Sequence, residues 1–211
     1  LLLTVASLFL FGKIVYARYQ YIRLGKANEW EWNLSGTVGF IFGQKKLLKD
    51  KKSGWMHVIM FYGFILIQFG AIDLFIKGLF PGHRLPIPFY TSFQFLEEIT
   101  VLFVFLATGY AYYRRYIEKL SRLKRGFRSG LVILFLTSLL FSIIVSSAFE
   151  KIWLQESLSW TAPLSSFIAF FFVHWMSPAS GEILFYIGWW MHAVILFSFL
   201  LYVPQSKHFH L

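Results

Sequence analysis

Long, unbroken apolar runs dominate this chain, and they leave it few ways to fold. Residues 1–17 read LLLTVASLFLFGKIVYA, and comparable runs fill 55–79, 93–113, 129–149 and 183–203. Each is close to the ~20 residues that a helix needs to cross a bilayer. Backbone polar groups in lipid must be satisfied within the segment, so runs of this kind are expected to be helical. The expected fold is therefore all-α and integral to the membrane: a five-transmembrane-helix bundle with short interfacial helices. A cleaved signal peptide is the alternative for residues 1–17. Its flanks disagree, because Arg18, Arg23 and Lys26 follow the apolar run instead of preceding it.

Two shorter stretches complete the pattern. NEWEWNLSGTVGFIF (28–42) is amphipathic and is expected at the interface, with Trp30 and Trp32 at headgroup level. LSSFIAFFFVHWM (164–176) is too short to cross comfortably and is expected to lie along the surface or dip into it. Gly63 and Gly70 share a stripe on the second span, where a neighbouring helix or a flat cofactor can approach closely.

Composition excludes the main competitor. Of 211 residues, 57% are hydrophobic and 14% charged, more apolar surface than a soluble domain of this size can hide. A net charge of +10 would point to nucleic acid in a soluble protein. Here the basic residues sit in a few loops, so the membrane accounts for them and no nucleic-acid partner is expected. The absence of cysteine excludes an iron–sulfur cluster or disulfide framework within the segment.

The basic residues also orient the bundle. Eight Lys and Arg follow the first span, seven follow the third, and Lys207 lies in the tail; the opposite side holds three, Lys77, Arg84 and Lys151. The positive-inside rule then places the N-terminus outside and the C-terminus in the cytoplasm of a multi-pass protein.

Histidines carry the chemistry. His192 opens the apolar part of the last span, and His208 and His210 follow Pro204. On a straight helix the eighteen-residue step from His192 to His210 is five turns, so the two share a face ~27 Å apart, near opposite membrane surfaces. His57, in the first turn of the second span, matches the depth of His210. Two neutral imidazoles facing each other from different helices, walled by apolar side chains, are what b-type haem requires. His57 and His210 are thus the expected haem-iron ligands. His208 is the rival, lying on roughly the opposite face of an ideal helix unless Pro204 bends it. A lone histidine near a helix end is more often a snorkelling interfacial residue; two at matched depth, one in a His-x-His tail, favour ligation.

His192 needs a partner of its own if it binds a second haem iron. On the second span the facing positions are Ile67 and Gln68, neither a good haem ligand, which leaves His83 and His174 in outer segments. The alternative is that His192 bonds within the bundle or contacts a quinone. Gln68, Asp73, Lys77, Glu97 and Glu98 lie at the outer ends of the second and third spans, where a quinone site combines an apolar slot with proton-exchanging groups. The competing reading makes Glu97 and Glu98 interfacial charges and pairs Asp73 with Lys77. The 26 phenylalanines and 8 tryptophans are read as lipid-facing and packing residues.

GWMHVIMFYGF together with WWMHAVILFSFLLYVPQSKHFH resembles the gamma subunit of respiratory nitrate reductase, a five-helix cytochrome b. The resemblance implies that His57 and His210 ligate the haem nearer the cytoplasm and that His192 serves the outer one. This chain departs from the pattern at Ile67, where that family has its second histidine of the second helix. More specifically, FGQKKLLKDKKSG, GFILIQFGAIDL, RLKRGFRSG and YVPQSKHFHL are similar to the N-terminal membrane domain of heterodisulfide-reductase-related iron–sulfur reductases. That likeness implies a single membrane domain over residues 1–211, continued by a cytoplasmic iron–sulfur region. It also implies electron transfer to membrane quinone, with electron-transfer flavoprotein as a donor for some members, in the plasma membrane of a prokaryote. The expected activity is that of an electron-transfer domain in a quinone-linked oxidoreductase, with one b-type haem or two. The alternative is a haem-free anchor that docks a redox partner and binds quinone or lipid directly. A transporter is disfavoured by the lack of an internal repeat or midplane helix breaks.

Overall fold

The computed structural model describes residues 2–25, 34–43, 51–121, 123 and 125–205. Among them the regular elements are all helical, without strands: α1 (Leu2–Arg23), α2 (Leu34–Gly43), α3 (Lys51–Leu79), α4 (Tyr90–Tyr112), α5 (Phe127–Trp153), α6 (Pro163–Phe172) and α7 (Pro178–Tyr202). Five helices are long and apolar enough to cross a membrane: α1, α3, α4 with the π-helical turn Tyr113–Ile117, α5, and α7 with the 3₁₀ turn Val203–Gln205. The chain is a multi-pass membrane protein. Four of the five spans begin before the apolar run does, because Lys51, Lys52, Tyr90, Phe127 and Pro178 already take helical backbone. Trp30 and Trp32 lie outside the described residues.

The chain divides into two compact units. In the first, Leu1–Gly54 with Val194–Leu211, α1 packs on the Val203–Gln205 turn, and its one buried side chain is Ser7. The α-helix of the last span stops at Tyr202, where Pro204 lacks the N–H that would continue the ladder. The five-turn step from His192 to His210 runs on past Gln205 into residues outside those described. His208 and His210 themselves lie outside the described residues.

The second unit, Trp55–Ala193, is the bundle that positions the site. Its core combines Ile67 and Leu74 of α3, Val101 and Val104 of α4, Ile143 and Phe149 of α5, and Phe185 and Trp189 of α7. Apolar packing against lipid gives helices little reason to associate, so close contact at small residues has to bring them together. Gly63 lies against Val104 and Gly70 against Glu97, so the glycine stripe of α3 admits side chains of α4. Gly78 lies against the Trp189 indole, and Gly188 against Ser146. Phenylalanines at 64, 69, 103, 105 and 141 remain exposed on the spans, as side chains that meet lipid would be.

The α3–α4 connection is closed by its prolines and by one carboxylate. Pro81, Pro86 and Pro88 cannot extend a helix, and Gly82 takes φ 78°, a left-handed turn position. Asp73 then ties the loop to α3, accepting from Leu85 N at 2.6 Å and from the Tyr90 hydroxyl at 2.7 Å. Helix α6 is docked on α4 and α5 instead of lying free on the surface, with Ser165, Ser166 and Ala169 buried. Pro163 starts it at the position where a missing N–H costs nothing. The side chain of Glu98 in α4 caps it, accepting from Leu164 N at 2.6 Å, from Ser165 N at 3.2 Å and from the Ser165 hydroxyl.

Candidate functional site

His192 sits in the middle of α7 with 2% of its surface exposed. Its Nδ1 is 2.9 Å from the Ser142 hydroxyl of α5, and that hydroxyl is 2.7 Å from the Leu139 carbonyl. A serine hydroxyl carries one proton; assigning it to the Leu139 carbonyl makes the imidazole the donor, from Nδ1, and Ser142 the acceptor. The Nε2 lone pair is then available. Nε2 is buried and makes no hydrogen bond among the described residues. The Phe75 ring of α3 meets the imidazole at 6.3 Å, edge to face. A buried imidazole oriented through one nitrogen, with its other nitrogen unengaged, is how a histidine is held to ligate a metal.

Just beyond His192, toward the 80–89 loop, lies a buried polar cluster. The Lys77 ammonium is 3.1 Å from Asp73 Oδ2 and 2.8 Å from Glu150 Oε2. Asp73, Lys77, Glu97 and Glu150 are each at most 8% exposed. Breaking one partner out of a buried ion pair costs about 3–5 kcal/mol, so a three-member set from α3 and α5 fixes both helices at this end. The Tyr90 ring joins it, with Lys77 Nζ 5.9 Å and the Arg84 guanidinium 5.1 Å from its centroid. Histidine and cluster are neighbours through adjacent residues. Leu74 lines the cluster's inner cavity while its carbonyl accepts from Trp189 Nε1 at 3.0 Å. Ile143 lines the same cavity next to Ser142, which holds His192.

The structure thus brings together Asp73, Lys77, Glu97 and Glu98 of the expected quinone residues at one cavity. Asp73 and Lys77 do form the i,i+4 pair, but within a larger set. Glu97 and Glu98 are buried, so neither is an interfacial charge, and Glu98 is committed to capping α6. Gln68 is half-buried and lines neither of the two cavities at the cluster. Glu150, Tyr90 and Ser142 belong to the site without having been read from the sequence. Glu150 had a visible signal, an acid closing an apolar run in SSAFEKIW. Ser142 had none, since a serine on a membrane helix is ordinary.

His57 is exposed on the second turn of α3, eighteen residues or ~27 Å along that helix from Phe75 beside His192. The two histidines therefore occupy opposite ends of the unit. His83 is exposed in the 80–89 loop, with Nδ1 3.3 Å from the Pro81 carbonyl, and His174 is exposed after α6. Neither turns inward toward His192. Ile67 is packed in the core, 7% exposed.

One relative stands out. The chain is 47% identical over 216 residues to a protein of Bacillus subtilis (strain 168) named probable iron-sulfur-binding oxidoreductase FadF. The match takes in 100% of this chain and 30% of that protein, so the chain spans about a third of its relative's length. No family profile and no solved structure matches the chain.

The described residues meet half of what an iron porphyrin at His192 requires. One nitrogen that could ligate iron is present and oriented, with aromatic walls at Phe75 and Trp189. Among the described residues no second histidine faces it, and no three His, Asp or Glu side chains gather as a metal site.

Proposed function

We propose that this chain is a membrane electron-transfer domain that moves electrons between a cytoplasmic iron–sulfur or flavoprotein partner and the quinone pool through b-type haem. The observation that carries the reading is the 47% identity, along the whole chain, to a relative named for iron–sulfur binding and oxidoreduction. Five apolar spans and the unengaged Nε2 of His192 support the membrane and haem parts of it. In this reading His57 and His210 hold one haem, His192 is available to a second, and His208 is the alternative to His210. Haem supplies one-electron chemistry; the chain supplies ligand nitrogens, a low dielectric and orientation. Ser142 holds the His192 ring and its tautomer, while Asp73, Lys77 and Glu97 supply the hydrogen-bonding and proton-exchanging groups of a quinone site at the 80–89 loop end.

The charge asymmetry of the loops supports an outward-facing 80–89 loop and a cytoplasmic C-terminus in the plasma membrane of a prokaryote. The partner region is an iron–sulfur domain on the cytoplasmic side, with electron-transfer flavoprotein as a donor. A haem-free anchor is the second reading, favoured by one observation: no described histidine faces His192.

Haem extracted and counted per purified chain tests the proposal. Wild type is expected to carry one haem or two, with the count falling by one in His57→Ala. A count of zero after expression with excess haem overturns the cytochrome reading and leaves the anchor.

A further inference from the structure

The cluster beside His192 contains more than a quinone needs for hydrogen bonding. It holds two small cavities, one behind the other. The inner one, about 10 Å³, is lined by Asp73, Glu97 and Ser147; the outer one, about 30 Å³, is lined by Tyr90, Glu150 and the loop residues His83 and Arg84. Lys77 and Gln94 line both. A cavity needs about 10–15 Å³ to admit one water, so each has room for at least about one. Lys77 lies between them, its ammonium on Asp73 of the inner cavity and on Glu150 of the outer.

Glu97 stands at the inner end. It is 8% exposed, its side chain lies over Gly70, and it takes part in none of the bonds that hold Asp73, Glu98 and Glu150. Asp73 and Glu150 already outnumber Lys77 in charge. A third buried carboxyl beside them is accommodated with a proton on it, which leaves it a proton to give.

We infer that Glu97, the two cavities and the Asp73–Lys77–Glu150 set form a proton path between the bundle interior and the aqueous face at the 80–89 loop. The Glu97 carboxyl passes its proton to the inner cavity's water and on to Asp73. Lys77 gives a proton to Glu150 and recovers one from Asp73, and Glu150 releases its proton to the outer cavity beside His83 and Arg84. One proton moves and no electron moves: Asp73, Lys77 and Glu150 return to their starting states, and Glu97 returns to its own by taking a proton from the bundle interior. Gln94, half-buried at the junction, keeps the passage polar. The path rests on the proposed function for its purpose, since quinone chemistry beside it exchanges protons, but its existence does not depend on haem or quinone.

The test is infrared hydrogen–deuterium exchange on the purified full chain, following the carboxylic C=O band that Glu97→Gln removes. Wild type should show that band and shift it promptly in D₂O. Gln94→Leu, which removes no charge, should slow the shift at least about tenfold, and Glu150→Gln should slow it independently. A wild type with no band assignable to Glu97, or exchange as fast in both variants as in wild type, overturns the path. Haem content measured on the same samples separates the two ideas. A haem-free protein with gated exchange retains the path and loses the cytochrome, and a haem-bearing protein with ungated exchange does the reverse.

Discussion

A single hydroxyl decides the chemistry available at His192. With its own proton assigned to Leu139, Ser142 accepts from Nδ1, and the basic lone pair is left on the buried Nε2. Groups that orient a ligand in this way typically affect metal affinity by about 10–100-fold. Ser142→Ala is therefore expected to speed haem loss from the His192 position by about that factor, read by transfer to a haem-scavenging apoprotein, with little change at the His57 position. Equal loss at both positions, or none, would contradict the role. The histidines were legible in the sequence because imidazoles are rare in apolar runs. Their partners were not, because a serine four turns into another helix becomes a partner only once the helices are docked. Ile67 was read as unable to ligate, and it lies in the packed core.

At the scale of elements, small residues and buried carboxylates do what apolar packing cannot do in lipid. Gly78 has no side chain because the Trp189 indole occupies that space, bonded to the Leu74 carbonyl. Gly78→Ala forces the rigid indole off that bond and should cost about 1–3 kcal/mol in thermal unfolding in detergent. Glu98→Ala leaves the half-buried Leu164 N–H and the buried Ser165 N–H at the start of α6 without their acceptor. It should cost about 1–3 kcal/mol and expose the 154–162 connection to protease, whereas an unchanged melting curve would mean that α6 needs no cap. Lys77→Met strands Asp73 and Glu150 and should cost about 3–5 kcal/mol, partly recovered by adding Glu150→Gln. The spans were legible from hydropathy alone, to within a few residues at their apolar ends. The role of α6 was not: LSSFIAFFF reads as a surface segment until Glu98, sixty-six residues earlier in the chain, is found at its N-terminus. Likewise the Asp73–Lys77 spacing announced a pair, while Glu150 enters from α5, at a distance no helical period encodes.

For the whole molecule, the arrangement sets an unengaged imidazole nitrogen against a buried acid–base cluster at one end of the second unit, with His57 at the other end. That polarity is what a protein needs to couple electron and proton movement on one side to an electron partner on the other. Topology follows the same axis: within the second unit the basic segment that follows α4 lies at the His57 end, and the acid cluster lies at the other. Reporter fusions should place the 80–89 loop outside and the 114–128 segment in the cytoplasm, and the reverse result would move the proposed quinone site to the inner face. The central claim, that this chain carries electrons between quinone and haem, is tested most directly by adding a reduced quinone to the oxidised purified protein and recording its difference spectrum. Electron transfer from quinol predicts a b-type haem band that appears on quinol addition and that falls by one haem's share in His57→Ala. A protein that shows no such band even with a strong chemical reductant, or a band that quinol cannot raise, would contradict it.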